Sequence, residues 1–269
     1  MPSDSPLSQI DTSVAHAARV YDYWLGGKDN FAADRALGDA MVQAIPTLPE
    51  MARANRAFLG RAVRYLAAEA GIRQFLDIGP GIPTAGNTHE VAQAVAPETR
   101  VLYVDHDPLV LAHARALMTS TSQGQTEFIM ADLREPEAIL ANPALARTLD
   151  LEQPVGLILV AILMYFHDFE NPQGMVSTLL DALPSGSYLA ITHPTADFDP
   201  EAFDAASAAA AHAGITLVSR SKADIEKTFF AGLEVVEPGV VPVLAWHPED
   251  GPPADPNAAY YWAGVARKP

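Results

Sequence analysis

Three aspartates, Asp77, Asp105 and Asp132, stand at the ends of three successive apolar segments with the composition of buried strands. Parallel strands end at one edge of a sheet, so these carboxylates are expected to converge on one cleft. A turn containing Gly79 and Gly81 follows the first segment. Such a turn lets backbone approach a ligand, and the helix after it presents unpaired N–H groups. Each acid alone is equally typical of a helix cap or a solvated loop, but together they predict a nucleotide-type cofactor site.

Two cofactors fit an acid at Asp105, which follows Gly81 at about the spacing of a ribose-binding acid. A dinucleotide site requires a third glycine where this chain has Thr84, and Asp77 would repel a pyrophosphate. S-adenosylmethionine carries ribose, adenine, an ammonium and a sulfonium, but no phosphate. The acidic cleft therefore favours S-adenosylmethionine, with Asp77 at the amino group and Asp132 near the adenine. NAD, and with it an oxidoreductase, stays a further alternative.

The elements that must position these residues alternate along the chain between strand-like and helix-like segments. This alternation predicts an α/β fold with a doubly wound, Rossmann-like parallel sheet. Residues 155–164 are predicted as a strand, and 142–153 as the linker before it. Two β-rich runs at 232–246 and 258–268 predict a closing antiparallel hairpin. In that hairpin, Tyr260, Tyr261 and Trp262 are typical of core, with an aromatic substrate box as the alternative.

The first 70 residues form a different unit, a tail and a helical lid that packs on the core, followed by a cofactor domain at 71–269. Residues 1 to about 13 are expected to be a loose tail. Three helices follow: one stopped by Gly26-Gly27, one over about 31–44, and one over 51–70.

Two features of this lid could contact a ligand. The loop 26–30 (GGKDN) is either a plain helix–helix turn or a segment that closes over a ligand with Tyr23, Lys28 or Asn30. The arginines of the third helix are typical of a solvated face, although one of them could reach a ligand carboxylate. They include Arg53, Arg56 and Arg64.

Several long segments also carry a family resemblance. They are 18–35, 53–66, 75–93, 101–118 and 232–243. Over these segments the chain resembles the class I S-adenosylmethionine-dependent methyltransferases, and among them the bacterial methyltransferase family 19. The resemblance implies a seven-stranded sheet with an antiparallel C-terminal hairpin, and a cofactor cover at Tyr21 to Asn30. The implied cofactor contacts are Asp77, Gly79, Gly81, Asp105, Asp132 and Ala161, and we add Leu133 and His106, which flanks the adenine or faces solvent.

The catalytic residue is left unassigned. Where the family has a Leu-His-Phe-type sequence, this chain reads Leu163-Met164-Tyr165-Phe166, and it lacks the Asn/Asp-Pro-Pro-aromatic motif of amino-methylating nucleic-acid enzymes. A general base is needed only for acceptors that keep a proton at neutral pH. The candidates are Tyr165, His193, and His167 with Asp168. No histidine pair has metal-ligand spacing, so no metal is expected.

The composition limits the partners. A net charge of −16 argues against a nucleic-acid backbone or an anionic membrane surface. The chain has no cysteine, which excludes disulfides, thiolate metal sites and cysteine nucleophiles. No apolar run approaches the roughly 18 residues of a membrane helix, and no signal peptide is visible.

We expect a cytoplasmic methyltransferase acting on a small molecule, in a pocket walled by the lid and by 200–213. The alternative is a sensor that binds the cofactor without transferring a methyl group.

Overall fold

The computed structural model of the protein describes residues 11–117 and 119–269. Most of the predicted tail (residues 1–10) and Met118, at the end of a predicted helix, lie outside these ranges. No helix within them is both long and apolar enough to cross a membrane.

A sheet of five parallel strands with an antiparallel edge forms the centre of the molecule, as predicted, and its strands lie in the order β3-β2-β1-β4-β5-β8-β6. β1 is buried along its whole length, as expected of a strand covered on both faces. The parallel strands are β1 (Gln74–Ile78), β2 (Arg100–Asp105), β3 (Gln125–Met130), β4 (Gly156–Val160) and β5 (Tyr188–Pro194).

The alternation of side chains along the strands divides the core into two layers. Phe75 packs on one face with the N-terminal helices, and Leu76 on the other face with the later helices. The helices between and after the parallel strands are α4 (Thr88–Val95), α5 (Pro108–Leu117), α6 (Pro136–Leu140), α7 (Pro143–Thr148), α8 (Pro172–Asp181), α9 (Pro200–His212) and α10 (Lys222–Phe229).

Two predicted boundaries around β4 are wrong. α7 lies inside the predicted linker 142–153, where Asn142 caps it by accepting from the Ala144 N–H at 2.9 Å and Pro143 fits the first turn. β4 ends at Val160 rather than near 164, because Ala161 turns the backbone to a φ of 55° and a short 3₁₀ turn follows.

The C-terminal hairpin is present, but the described sheet has eight strands rather than seven. β6 (Glu234–Val235) and β7 (Val241–Pro242) pair with the two ends of β8 (Tyr261–Arg267). They correspond to one predicted strand that is interrupted at Pro238, which has no N–H to donate to a ladder. The observed strand therefore ends at Pro242, before the predicted end at Trp246, whose side chain is fully buried in the core.

Three helices precede the sheet: α1 (Ala17–Trp24), α2 (Ala32–Ala44) and α3 (Leu48–Ala68). α1 ends before Gly26, which has a φ of +81°, as predicted from the glycine pair. α3 begins three residues earlier than predicted and packs Phe58, Val63 and Leu66 on the sheet. The division into units at residue 70 stays a prediction.

A buried ion pair between Arg19 of α1 and Asp34 of α2 fixes the first two helices to each other. Their side chains approach to 3.0 Å, and Asp34 is completely buried. The same carboxylate accepts from the backbone N–H groups of His16 and Phe31, both at 2.8 Å. The Asp34 carboxylate therefore accepts hydrogen bonds from backbone N–H groups at the starts of both helices and holds these segments together.

We expect Asp34→Ala to lower the free energy of unfolding by about 3–5 kcal/mol, because it leaves the buried Arg19 guanidinium without its counter-charge, and its Nε–H and two backbone amides without an acceptor. Urea denaturation followed by circular dichroism measures this change. The control is Asp39→Ala on the same helix, where an exposed carboxylate accepts from the Tyr23 hydroxyl. Similar losses in the two variants would contradict the role of Asp34.

Candidate functional site

A cavity of about 500 Å³ opens at the edge where the parallel strands end. α1 and α3 form one wall, and the loops after β1, β2, β3 and β4 form the other. Asp77, Asp105 and Asp132 all line this cavity, so the structure brings together the three acids identified in the sequence.

The glycine loop after β1 forms the floor of the cavity. Gly79 and Gly81 have φ angles of +70° and +69°, which favour glycine. A Cβ on Gly79 would lie 2.6 Å from the Ile162 side chain, so only glycine lets the loops after β1 and β4 approach this closely. The Gly81 N–H donates to Asp105 Oδ2 at 3.3 Å, which ties the floor to the end of β2.

Asp77 is a buried carboxylate at the inner end of the cavity. Its Oδ2 accepts from the Thr88 hydroxyl at 2.6 Å. Within residues 11–117 and 119–269, no cationic side chain lies within 4.0 Å of it. Burial raises the pKa of Asp77 to about 6, against a smaller opposing effect of the Thr88 hydrogen bond. A buried acid that faces a cavity and has no cation within ion-pair distance is suited to a positively charged ligand group.

Arg56 is the cation of the same region. It projects from α3 into the cavity wall and donates to the Gly86 carbonyl at 3.2 Å, and its charge slightly lowers the Asp77 pKa. No carboxylate in the described part of the chain lies within ion-pair distance of it. Of the three arginines predicted on this helix, Arg56 lines the cavity, whereas Arg53 pairs with Glu50 and Arg64 with Glu249.

Asp105 and Asp132 line the middle and outer parts of the cavity. Asp105 Oδ1 accepts from the Asp107 N–H at 2.9 Å, and burial raises its pKa. Asp132 is more exposed and accepts from the Arg134 N–H at 2.9 Å. Leu133 and His106 also line the cavity, Leu133 buried and His106 with its ring mostly exposed. The outer part therefore combines hydrogen-bond acceptors with an apolar surface, as a nucleoside requires.

A buried hydrogen-bond network connects the end of β4 with the helices above the cavity. The Ala161 N–H donates to Thr192 Oγ1 at 2.9 Å, and that hydroxyl donates to Asn55 Oδ1 at 2.6 Å. The Asn55 amide donates to the Tyr21 hydroxyl at 2.8 Å, which donates to the Ala52 carbonyl at 3.0 Å. One continuous series of hydrogen bonds thus connects Ala161 and Tyr21, which lie on opposite sides of the cavity.

The structure does not bring Tyr23 or Lys28 to the cavity. α1 turns Tyr23 towards α2, where its hydroxyl donates to Asp39 at 2.7 Å, and Lys28 is exposed. The amide of Asn30 donates to Asp22 Oδ2 at 2.9 Å and so organises the loop itself. The loop 26–30 is a helix–helix connection built on Asp22.

The candidate catalytic residues do not lie together, and only one of them lines the cavity. His193 is fully buried, with Nδ1 at 2.8 Å from the Pro194 carbonyl and Nε2 at 2.8 Å from Arg220, and burial lowers its pKa to about 3. His167 is exposed and stacks on Phe169, and Asp168 pairs with Arg220. Tyr165 alone lines the cavity. In the described ranges, no three His, Asp or Glu residues are grouped so as to hold a metal ion.

Several cavity residues carried no clear signal in the sequence. Asp22 and His16 come from α1 and the residue before it, and Arg134 packs its guanidinium 4.7 Å from the Phe166 ring centre. Asn55 could have been found, because it is a polar residue on the apolar stripe of α3 between Ala52 and Phe58. Arg134 lies in a polar segment and His16 among alanines just before α1, and nothing in the local sequence distinguishes either from a solvated residue.

Comparisons with known proteins identify the family of the chain. The family model described as S-adenosyl methyltransferase, methyltransferase family 19, matches residues 3–269. A structure of a DUF574 family protein from Streptomyces avermitilis is 48% identical, with a TM-score of 0.93, and the match covers 97% of this chain and 100% of that one. A candidate methyltransferase from Thermobifida fusca is 41% identical, with a TM-score of 0.87 and coverages of 100% and 99%.

A more distant structure supports the fold alone. Human N-acetylserotonin methyltransferase, solved with S-adenosylmethionine, is 13% identical, with a TM-score of 0.50, and the match covers 98% of this chain and 64% of that one. The search of curated proteins gives no match. The family match spans nearly the whole chain, so the protein belongs to the S-adenosyl methyltransferase family 19 and is an S-adenosylmethionine-dependent methyltransferase.

Proposed function

We propose that this methyltransferase holds the amino-acid end of S-adenosylmethionine between Asp77 and Arg56 and transfers its methyl group to a small molecule. The observation that carries the proposal is the buried Asp77 carboxylate, with Arg56 in the same wall; among the described residues neither group has an oppositely charged side chain within ion-pair distance. An amino acid presents one ammonium and one carboxylate, which match these two charges. Asp105 then accepts from the ribose hydroxyls, and the adenine lies between Leu133 and His106 near Asp132.

The cofactor supplies an electrophilic methyl group, and the protein's part is to bind and orient. In-line displacement depends on alignment, so holding both reactants in one geometry provides much of the acceleration. Burial raises the pKa of Tyr165, which keeps its hydroxyl protonated and makes it a hydrogen-bonding group rather than a base. The network through Asn55 fixes the cavity walls on either side of the reacting groups.

A small-molecule acceptor fits the cavity and the charge of the chain. The cavity lies beneath α1 and α3, and its volume of about 500 Å³ leaves limited space once a cofactor is bound. A net charge of −16 disfavours nucleic acid.

Asp105→Ala is expected to weaken S-adenosylmethionine binding at least thirtyfold, because two ribose hydroxyls lose a charged acceptor worth roughly 1.5–3 kcal/mol each. Isothermal titration calorimetry measures this, with Glu137→Ala on the exposed side of α6 as control. NAD should give no binding heat. The wild type should also transfer labelled methyl into the small-molecule fraction of a bacterial extract. Unchanged affinity in Asp105→Ala would refute the assignment, and tight binding without transfer would indicate a sensor.

Asp77→Asn should weaken binding of S-adenosylhomocysteine at least tenfold and yet stabilise the free protein at alkaline pH. Because the folded-state pKa of about 6 exceeds the ordinary 3.8, Asp77 contributes stability below pH 3.8 that is lost as the pH rises through 6. Relative to the wild type, the variant should gain roughly 1.5 kcal/mol of unfolding free energy between pH 5 and pH 8.

Urea denaturation at several pH values measures the stability effect of Asp77→Asn. The control, Asp181→Asn, removes an exposed carboxylate and should change neither quantity. A pH-independent stability difference would show that Asp77 keeps an ordinary pKa.

Arg56→Gln should weaken S-adenosylhomocysteine about tenfold or more and leave 5′-methylthioadenosine, which lacks the amino-acid end, within twofold. Calorimetric titration of both ligands isolates the carboxylate contact from general damage to the cavity. Arg53→Gln, an exposed arginine on the same helix, is the matched control. Equal losses for both ligands would contradict a carboxylate contact at Arg56.

A further inference from the structure

His16 is a cavity residue that the proposed function does not use. It stands immediately before α1, where its backbone N–H donates to Asp34, and its side chain lines the cofactor cavity. The ring lies beside the loop after β2: its centre is 6.4 Å from that of the His106 ring, and the charge of Asp105 acts on it. Since the proposed function places the adenine at His106 and the ribose at Asp105, His16 faces the adenosine part of the cofactor.

The surroundings of His16 determine which ring nitrogen carries the proton. Nδ1 is buried and, in the described part of the chain, has no aligned hydrogen-bond partner, but Asp107 Oδ2 lies 3.2 Å from it. A carboxylate only accepts, and a bare Nδ1 lone pair would face its negative charge, so the proton resides on Nδ1. Asp107 is itself fixed, because its Oδ1 accepts from the Leu109 N–H at 2.8 Å.

The imidazole of His16 is neutral at pH 7 and above. Burial lowers its pKa, and Arg19 and His106 act in the same direction, against the opposing effect of Asp107 and Asp105. A neutral ring with its proton on Nδ1 presents a lone pair at Nε2. Nδ1 is buried while 36% of the side chain is exposed, so the accessible edge of the ring is the one that carries Nε2.

The cofactor offers few donors to such a lone pair. In the proposed function the ammonium binds Asp77, and both ribose hydroxyls donate to Asp105. The remaining donor is the adenine amino group, which has two N–H bonds. One of them can donate to Asp132 at the outer part of the cavity, which leaves the second for an acceptor on the opposite wall. Nε2 of His16 is such an acceptor.

Resting on the proposed function, we infer that His16 determines specificity for the adenine base, with its Nε2 accepting from the adenine amino group. Asp107 acts through His16 as a positioning residue, because it keeps the ring in the accepting tautomer. A site that hydrogen-bonds a ligand N–H rejects an analogue that lacks this group. A 6-oxo purine would place a carbonyl lone pair against that of Nε2, so the site selects a 6-amino purine.

The test compares S-adenosylhomocysteine with S-inosylhomocysteine, in which a carbonyl replaces the amino group, by isothermal titration calorimetry at pH 8. The wild type should bind S-adenosylhomocysteine at least thirtyfold more tightly. His16→Phe keeps a planar ring and removes both nitrogens, so it should weaken S-adenosylhomocysteine about fivefold or more without weakening S-inosylhomocysteine. His212→Phe, at an exposed histidine of α9, is the matched control.

Asp107→Asn tests the inference even if His16→Phe does not fold. The amide oxygen can keep the contact with Leu109, and the amide N–H donates to Nδ1, which moves the ring proton of His16 to Nε2. Nε2 then donates to the carbonyl of S-inosylhomocysteine, whose binding should tighten about fivefold or more while that of S-adenosylhomocysteine weakens. A merely structural role of Asp107 would weaken both ligands. Asp199→Asn, which caps α9, is the control.

The outcomes separate this inference from the proposed function. A preference for S-adenosylhomocysteine that is unaltered in either folded variant would overturn the role of His16. Equal binding of the two ligands to the wild type would do the same. Failure of S-adenosylhomocysteine to bind the wild type would instead refute the proposed function.

Discussion

The cofactor cavity depends on one buried hydrogen-bond network, centred on Asn55. Its amide and carbonyl groups join Tyr21 of α1 to Thr192 of β5, and Thr192 holds the Ala161 N–H at the end of β4. Apolar contacts between helix and sheet are non-directional and would permit several positions of the helices. A buried polar network is favourable only when every member is satisfied, so it selects the one position that leaves the cavity open beneath α1.

The acids of the site could be predicted because their placement follows from the fold class alone. Asp77, Asp105 and Asp132 each follow a strand of a parallel sheet, and parallel strands end at one edge. That argument needs only the alternation of strand and helix, which hydrophobic periodicity shows clearly. For the same reason the parallel sheet with its antiparallel edge and the end of α1 before Gly26 agree with the predictions.

The residues that could not be predicted depend on the rotation of a helix or on pairing between distant segments. Tyr21 and Tyr23 share one short helix, and local sequence does not determine which of them faces the cavity. His193 is held by Arg220, 27 residues later, and without that contact a histidine at a strand end is typical of a catalytic base. The end of β4 before Ala161 depends on Thr192 of the neighbouring strand. In each case the deciding interaction is tertiary, and residue type and spacing do not encode it.

The buried charge at Asp77 makes the stability of the protein and its cofactor binding interdependent. A carboxyl whose pKa rises from 3.8 to about 6 destabilises the free protein by about 3 kcal/mol near neutral pH. The low polarity that causes this penalty also strengthens the attraction to a bound ammonium. A ligand at a hundred times its dissociation constant stabilises the folded state by about 2.7 kcal/mol, which offsets a penalty of this size. An acid at this position is therefore favourable only in a protein that holds its cofactor most of the time.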